Sequence, residues 1–292
     1  MKKTALLGLG KMGQGIALSI LKSGENLTVW NRSIEKAGLV IDAGANWADT
    51  PAKAAENADF VIAMLSDDTA SASAWLGKNG ALQSMKPGAF VIECSTLSLD
   101  YVQKLSGAAL SKGLAYIDCP VTGIPTAAAE GKLTLLTGAD KHQLEICLPL
   151  LQSFSKSIKH FGAIGKGTCY KLMINLMGAV QIAALAEGIA LCENLGLDTE
   201  TVIESIEASA AASPQVIRYT RVMAEKKFLQ DPSFTTTLRY KDAVYALELA
   251  KNTGFTARLG KVAAQWFAEA AQHYKDMDEA MVVELMHSGN DN

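Results

Sequence analysis

The sequence predicts an α/β amino-terminal domain followed by an all-helical carboxyl-terminal domain, and three observations support this prediction. Short apolar runs alternate with helix-like segments as far as Gly162. A glycine-rich turn lies between the first apolar run and the first helical segment. Beyond Gly162 the helical patterns continue without strand-like alternation. This order predicts a mostly parallel sheet with helices on both faces in residues 1–162, and a helical domain in residues 163–292.

The strand candidates of the first domain are short apolar runs, and helical patterns lie between most of them. They are Lys3–Gly8, Leu27–Trp30, Phe60–Leu65, Ala89–Cys94, Leu114–Cys119, Lys132–Thr137 and Ser157–Phe161. The second domain opens with one long apolar segment and continues with shorter helices. The predicted helices are Thr168–Leu195, Thr199–Ser209, Gln215–Lys226, Thr235–Lys251, Arg258–Tyr274 and Asp278–Met286, with breaks at Pro214, Pro232 and Gly254.

The long segment Thr168–Leu195 is apolar around its whole circumference. A helix of this kind is expected to be buried on most sides. We therefore expect it to be covered by the other helices and by a partner subunit, in a homodimer or homotetramer. We also expect no apolar run of the chain to be long enough to cross a bilayer.

Composition limits the function classes. The chain has 292 residues, of which 49% are hydrophobic and 20% charged, as expected for a soluble globular protein of two domains. A net charge of −3 gives no indication of nucleic-acid or membrane partners. Five cysteines without a C-x-x-C pair indicate free thiols in a reducing compartment, here the cytoplasm, and give no support to a structural metal site.

The glycine-rich turn Gly8-Leu9-Gly10-Lys11-Met12-Gly13 has the G-x-G-x-x-G spacing between a strand and a helix. In a dinucleotide site, Gly8 would make the tight turn and Gly10 would let the pyrophosphate approach the backbone. Gly13 would let the helix pack closely on the strand. Glycines also collect in ordinary tight turns, so the spacing alone is a weak signal. Its position in a β-α-β unit is what predicts a dinucleotide-binding Rossmann domain.

The end of the second strand predicts which dinucleotide is bound. An NAD site usually has Asp or Glu there, to accept hydrogen bonds from the ribose hydroxyls. This chain has Asn31, Arg32 and Ser33 instead. Arginine is a permanent cation whose donors fit a phosphate, so these residues favour NADP(H). The alternative is an ordinary surface turn.

Reduction of a carbonyl by a nicotinamide requires a proton donor beside the forming alkoxide, and Lys171 is the best candidate. It lies near the amino terminus of the long helix, where the helix dipole and burial would both disfavour the ammonium form. Asn175 lies four residues later on the same helix face. The alternative is a lysine that caps the helix or extends to solvent. The histidines lie away from the glycine turn and strand ends, at positions 142, 160, 273 and 287.

Two further segments are candidates for the site. Thr122, Gly123 and Ile124 follow a predicted strand, and their hydroxyl and amide groups are suited to a substrate carboxylate. An ordinary Pro/Gly turn is the alternative. Lys241-Asp242 lies in an otherwise apolar and aromatic helix, and its default interpretation is an exposed surface pair.

Five motifs, in this order, resemble the β-hydroxyacid dehydrogenase family, which includes 3-hydroxyisobutyrate dehydrogenases and NADPH-dependent glyoxylate/succinic semialdehyde reductases. The resemblance covers essentially the whole chain, and the Trp-Asn-Arg element is most similar to the glyoxylate/succinic semialdehyde branch. The motifs are Gly8-Leu9-Gly10-Lys11-Met12-Gly13, Val29-Trp30-Asn31-Arg32, Asp118-Cys119-Pro120-Val121-Thr122-Gly123, Gly165-Lys166-Gly167 followed by Lys171 and Asn175, and Lys241-Asp242.

The resemblance implies a Rossmann domain and an all-helical domain of the 6-phosphogluconate dehydrogenase-like type, joined by a long interdomain helix. It implies that Lys171 is the catalytic acid/base and that Asn175 positions the substrate. Thr122 and Gly123 would bind the substrate carboxylate. The residues implied to contact the cofactor, besides the glycine turn and the Asn-Arg-Ser segment, are Met64, Leu65, Thr96 and Lys241.

Two departures from the family pattern concern the substrate pocket. The family usually has Ser-Gly-Gly or Ser-Gly-Ser where this chain has Thr122-Gly123-Ile124. Thr122 keeps the hydroxyl, whereas Ile124 adds a bulky β-branched side chain and predicts a reshaped, more apolar pocket. Ile174 replaces the first of two asparagines that follow the lysine in the 3-hydroxyisobutyrate branch.

The leading hypothesis is an NADPH-dependent reductase of a small aldehyde or keto acid, with Lys171 as proton donor. An imine reductase is the enzymatic alternative, because those enzymes share the Trp-Asn-Arg element but generally lack a lysine at this position. A non-catalytic NADPH-binding module is the alternative from another class. The retention of both Lys171 and Asn175 favours an enzyme.

Overall fold

The computed structural model describes residues 2–286 of the chain. The chain divides into two compact units, Met1–Lys171 and Leu172–Asn292. The sequence-based boundary after Gly162 lies nine residues earlier and remains a prediction. One long helix, Lys166–Asn194, begins in the first unit and continues into the second.

The first unit contains a six-stranded parallel sheet with the order β3-β2-β1-β4-β5-β6. This strand order is typical of the doubly wound dinucleotide-binding fold, in which ligands bind at the carboxyl ends of the strands. The strands are β1 (Lys3–Leu7), β2 (Asn26–Trp30), β3 (Asn46–Trp47), β4 (Phe60–Ala63), β5 (Phe90–Glu93) and β6 (Ala115–Asp118). The Rossmann prediction is therefore confirmed.

The helices of the first unit cover both faces of this sheet, and successive strand residues are therefore buried on opposite sides. Leu6 lies in one apolar cluster, whereas Ala5 and Leu7 lie in the other. The near-continuous apolar character of the strands follows from this burial on two faces. The helices are α1 (Lys11–Lys22), α2 (Gly38–Asp42), α3 (Pro51–Ala55), α4 (Asp68–Leu76), α5 (Leu99–Leu110), α6 (Pro125–Ala129) and α7 (Lys141–Gln152), with 3-10 turns at Ile34–Lys36 and Ala81–Gln83.

A separate three-stranded sheet completes the first unit. It consists of β7 (Val121–Thr122), β8 (Leu133–Thr137) and β9 (Ser155–His160) in the order β7-β8-β9. The sequence predicted β8 and β9 as strands but did not assign them to a second sheet. The two-residue β7 is too short to show a periodic sequence pattern. It pairs antiparallel with β8 and forms one edge of this sheet.

The second unit is built from helices around one apolar core, as predicted. Ile182 and Ala186 of the long helix, called α8 (Lys166–Asn194), are fully buried in this core with Phe267. Its other helices are α9 (Thr199–Ala208), α10 (Pro214–Ala224), α11 (Thr236–Asn252) and α12 (Arg258–His273). The predicted last helix Asp278–Met286 is a 3-10 helix, Glu279–Met286, whose first residues are buried.

Within this chain α8 is not covered on most sides, and its predicted cover by a partner subunit remains a prediction. Met173, Met177 and Leu191 are 47%, 53% and 58% exposed. The most apolar stretch of α8 has a mean hydropathy of 1.6 and is only 39% buried. By length and composition alone it meets the requirement for a membrane span, so the expectation that no run does so is wrong. Core helices of soluble proteins meet the same requirement, and Ile182, fully buried, lies in a core.

Candidate cofactor and catalytic site

The glycine turn after β1 is packed so tightly that two of its positions exclude any side chain. Gly8 has a φ of +100°, and a Cβ there would lie 2.4 Å from the Met64 carbonyl oxygen. At Gly13 a Cβ would lie 2.0 Å from the Gly8 carbonyl oxygen. The Gly8 N–H donates to the Trp30 carbonyl at 2.8 Å. These contacts fix the turn against the carboxyl ends of β2 and β4.

Gly10 differs from its two neighbours in the motif, because a Cβ there would meet no protein atom within 4 Å. Gly10 is also the N-cap of α1, where no side chain caps the first N–H groups. An uncapped helix amino terminus carries partial positive charge and N–H donors that suit a phosphate. The open space beside Gly10 therefore fits the pyrophosphate of a dinucleotide.

The side chain of Asn31 stabilises the glycine turn by hydrogen bonding. Its Oδ1 accepts a hydrogen bond from the Leu9 N–H at 2.9 Å, and its Nδ2 donates to the Ser33 carbonyl at 2.9 Å. The side chain thus holds the turn and its own strand end together. Arg32, the next residue, is exposed, and Ser33 is half-buried. A role for Arg32 and Ser33 in phosphate binding remains a prediction.

A buried carboxyl group that was not predicted from the sequence supports the strand ends beside the glycine turn. Glu93, at the end of β5, accepts hydrogen bonds from the Ser95 N–H (3.0 Å) and hydroxyl (2.5 Å). Ser71 and Trp75 donate to its other oxygen, each at 2.8 Å. Burial raises the pKa of Glu93, and these hydrogen bonds offset part of that rise. A single acidic residue in an otherwise apolar strand was the available signal.

Through Ser95, Glu93 also positions the loop after β4. The Ser95 hydroxyl accepts a hydrogen bond from the Leu65 N–H at 2.8 Å. Met64 and Leu65 are half-buried, as is Thr96. The loops after β4 and β5 are thus linked at the carboxyl edge of the sheet, beside the Gly8 turn that touches Met64. This brings Met64, Leu65 and the glycine turn together, as their predicted cofactor contacts require.

The Thr122-Gly123-Ile124 segment has a conformation that only glycine tolerates at its centre. Gly123 has a φ of +138°, and a Cβ there would lie 2.6 Å from Leu133 Cδ2. Thr122 is half-buried and pairs with Thr134 of β8. Ile124 is 42% exposed and is followed by Pro125, the first residue of α6. The apolar side chain at position 124 therefore lies at the surface of the first unit.

The amino terminus of α8 is anchored by a buried carboxyl group. Asp118, at the end of β6, accepts hydrogen bonds from the Thr168 N–H (2.9 Å) and hydroxyl (2.6 Å). Burial raises the pKa of the Asp118 carboxyl to about 6. A Cβ at Gly167 would lie 2.1 Å from the Leu136 carbonyl oxygen, so the helix start lies directly on β8. Lys171 follows within one turn of this anchor and is half-buried.

In the second unit, Asn175 and Lys241 both contact Asp242. The Asn175 Nδ2 donates to Asp242 Oδ2 at 2.5 Å, and Lys241 Nζ lies 2.9 Å from Oδ1. Asp242 is only 1% exposed. The default interpretation of Lys241-Asp242 as an exposed surface pair is therefore wrong, because Asp242 is buried and contacts Asn175 of α8.

His160 is the last residue of β9, so the expectation that the histidines lie away from strand ends is wrong at this position. His160 Nε2 is 2.9 Å from the Ala139 carbonyl oxygen, and His287 lies outside the described residues. Within residues 2–286, no three His, Cys, Asp or Glu side chains are grouped as a metal site would require. All five cysteines are free.

Comparisons with known proteins give consistent results along the chain. Residues 3–165 match the family model described as the NAD binding domain of 6-phosphogluconate dehydrogenase. Residues 165–286 match the model described as the NAD-binding domain of NADP-dependent 3-hydroxyisobutyrate dehydrogenase. The uncharacterized oxidoreductase YfjR of Bacillus subtilis (strain 168) is 34% identical over 97% of this chain and 99% of its own length.

Two further relatives have more informative names. Glyoxylate/succinic semialdehyde reductase 1 of Arabidopsis thaliana is 28% identical over 97% of this chain and 98% of its own length. The solved structure of Mycobacterium tuberculosis 3-hydroxyisobutyrate dehydrogenase with L-serine has a TM-score of 0.87 and 28% identity. It covers 98% of this chain and 99% of its own.

Proposed function

Because this chain belongs to the β-hydroxyacid dehydrogenase family, as an NAD(P)-dependent dehydrogenase or reductase, we propose that it reduces a small aldehyde or keto acid with NADPH. The product is the corresponding hydroxy acid, and the reverse oxidation uses the same groups. The similarity to a plant glyoxylate/succinic semialdehyde reductase supports substrates of that size and charge.

The observation that carries this proposal is the placement of Lys171 in the same compact unit as the glycine turn. Asp118 and Gly167 fix the start of α8 on the carboxyl ends of the strands, one turn before Lys171. A bound nicotinamide supplies the hydride that the carbonyl carbon receives. Lys171 donates a proton to the carbonyl oxygen, which becomes the hydroxyl group of the product. In the reverse direction its neutral amine accepts that proton.

The remaining residues have supporting roles in this proposal. The Thr122 hydroxyl and the amides of Gly123 and Ile124 hold the substrate carboxylate, while Asn175 positions the reacting end. Arg32 holds the 2′-phosphate of NADPH, since a guanidinium binds phosphate with two parallel hydrogen bonds.

The test is a reductase screen with NADPH and NADH in parallel against glyoxylate, succinic semialdehyde and a cyclic imine. We expect turnover of at least one carbonyl acid, with a clear preference for NADPH that is lost in Arg32→Asp. Equal use of both cofactors contradicts the role of Arg32. Activity on the imine alone contradicts carbonyl reduction, and tight NADPH binding without turnover of any compound indicates a binding module.

The exposed apolar side chains of α8, Met173, Met177 and Leu191, support a homodimer or a homotetramer. A second copy of the chain would cover this surface and remove apolar area from water. Sedimentation velocity should give a mass of at least two chains, and a monomer at micromolar concentration contradicts this part of the proposal. The five free cysteines support a reducing compartment such as the cytoplasm.

A further inference from the structure

A buried ion pair in the second unit holds helix α8 at Asn175. Arg239 of α11 is 6% exposed, and its Nε lies 2.5 Å from Glu279 Oε2. The Tyr219 hydroxyl donates to the other Glu279 oxygen at 2.5 Å, and the ring of Phe234 lies 4.6 Å from the guanidinium carbon. The buried guanidinium is therefore held by an ion pair on one side and by an aromatic ring against its face.

The helix that Arg239 faces is α8, and the contact is to its backbone. Arg239 Nη1 donates to the Asn175 carbonyl oxygen at 3.0 Å. A carbonyl oxygen inside a helix already accepts one hydrogen bond, from the N–H group four residues later in the chain. The guanidinium therefore donates to the second lone pair of that oxygen. Such a contact requires the side chain to lie directly on the helix surface.

Gly178 makes this approach possible. A Cβ at position 178 would lie 3.2 Å from Arg239 Nη1, closer than ordinary van der Waals contact. Glycine inside a helix costs about 1 kcal/mol relative to alanine, and at position 178 it leaves room for the guanidinium.

A second contact from α11 fixes the side chain of Asn175. Asp242 lies three residues after Arg239, on the same helix face, and accepts a hydrogen bond from Asn175 Nδ2. A carboxylate only accepts hydrogen bonds, so Nδ2 must face Asp242 and the amide orientation is determined. The acceptor Oδ1 of Asn175 is then the amide atom offered to a ligand.

We propose that Arg239, paired with Glu279, is a positioning residue that sets the place of Asn175 on α8 for substrate binding. This inference rests on the proposed function, in which Asn175 contacts the substrate. Stability alone does not account for the pair, because a buried ion pair is often no more stabilising than apolar residues of similar volume. Removing one partner leaves an unpaired buried charge, whereas removing both charges avoids this penalty.

The first experiment compares Arg239→Met with the double variant Arg239→Met/Glu279→Gln, in which the introduced amide oxygen still accepts the hydrogen bond from Tyr219. We expect the single variant to unfold at a lower denaturation midpoint than the wild type. We expect the midpoint of the double variant to return most of the way to the wild-type value. We expect the double variant to retain the NADPH Kd within twofold and to lose at least about tenfold in kcat/KM for the carbonyl substrate. Recovery of both stability and kcat/KM in the double variant overturns the proposal and leaves Arg239 with a structural role only.

A matched pair on α8 tests the same contact without removing a charge. Gly178→Ala introduces a methyl group against Arg239, whereas Gly188→Ala introduces one where no protein atom lies within 4 Å. We expect Gly178→Ala to lower kcat/KM and Gly188→Ala to leave it unchanged. Equal kinetics of the two variants contradict the proposal.

A readout that does not depend on turnover separates this inference from the proposed function. In protein labelled with ¹⁵N-asparagine, the side-chain amide signal of Asn175 reports its contact with Asp242. We expect this signal to shift in the double variant and in Gly178→Ala but not in Gly188→Ala. An unmoved signal overturns the positioning role even if the wild type proves inactive, while inactivity of the wild type on every carbonyl contradicts only the proposed function.

Discussion

Thr168 donates two hydrogen bonds to Asp118, from its backbone N–H at 2.9 Å and from its hydroxyl at 2.6 Å. The two residues are 50 positions apart in the chain. One ends the last strand of the parallel sheet, and the other opens the helix that carries Lys171. The strand end therefore determines where the first turn of α8, and with it Lys171, is placed.

This relationship predicts a specific dependence of stability on pH. Burial raises the pKa of Asp118 from 3.8 to about 6, so the folded state binds this proton more tightly than the unfolded state. The contribution of Asp118 to the free energy of unfolding should therefore be largest below pH 4. It should fall by up to about 3 kcal/mol as the pH rises to about 6. Asp118→Asn lacks this titration.

Urea denaturation at pH steps from 4 to 7 measures the difference in free energy of unfolding between the wild type and Asp118→Asn. We expect the stability of the wild type relative to the variant to decrease across this interval. Ser111→Ala, at an exposed position and without a titratable side chain, should run parallel to the wild type. Parallel curves for Asp118→Asn as well contradict the raised pKa.

The glycine turn predicts opposite outcomes for two alanine substitutions. Gly13→Ala forces a methyl group to within 2.0 Å of the Gly8 carbonyl oxygen, so we expect it to lower the free energy of unfolding by roughly 1–3 kcal/mol. In Gly10→Ala the new methyl group meets no protein atom, so the free energy of unfolding should change by less than about 1 kcal/mol. Its methyl group occupies the space assigned to the pyrophosphate, and NADPH affinity should fall at least tenfold. Unchanged NADPH affinity in Gly10→Ala contradicts this assignment.

Ser95 links the two loops that are expected to contact the cofactor. Ser95→Ala removes the acceptor of the Leu65 N–H and one donor to Glu93. We expect a loss of about 1–3 kcal/mol in stability, because buried polar groups are left unsatisfied, together with a raised KM for NADPH. Ser111→Ala, whose exposed hydroxyl contacts only its own helix, is the control. An unaltered KM for NADPH in Ser95→Ala places the Leu65 loop outside the cofactor site.

The sequence predicted most of the fold because its signals are local. The six strands of the large sheet, apart from the two-residue β3, are apolar runs, and the glycine turn joins β1 to α1 as its spacing indicated. The helices of the second unit agree with their predicted bounds within a few residues. The bounds of β7 and the identity of the small sheet were missed, because two residues carry no periodicity.

The parts of the site that escaped prediction depend on partners distant in sequence. Lys241-Asp242 was interpreted as a surface pair because the donor to Asp242 is Asn175, which is 67 residues away. Asp118 and Glu93 had no visible partners in their strands, although an acidic residue at the end of an apolar strand was a usable signal. Composition shows that α8 can be buried on most sides, but it does not show which of its faces the same chain covers, because neighbouring elements decide that.

The most direct test of carbonyl reduction is the turnover of Lys171→Ala in the presence of NADPH and the best carbonyl substrate from the screen. Lys261→Ala, at an exposed position of α12, is the control. We predict that Lys171→Ala binds NADPH with a Kd within twofold of the wild type and loses at least about a hundredfold in kcat, the usual contribution of a general acid. A kcat equal to that of the wild type would contradict the assignment of Lys171 as the proton donor.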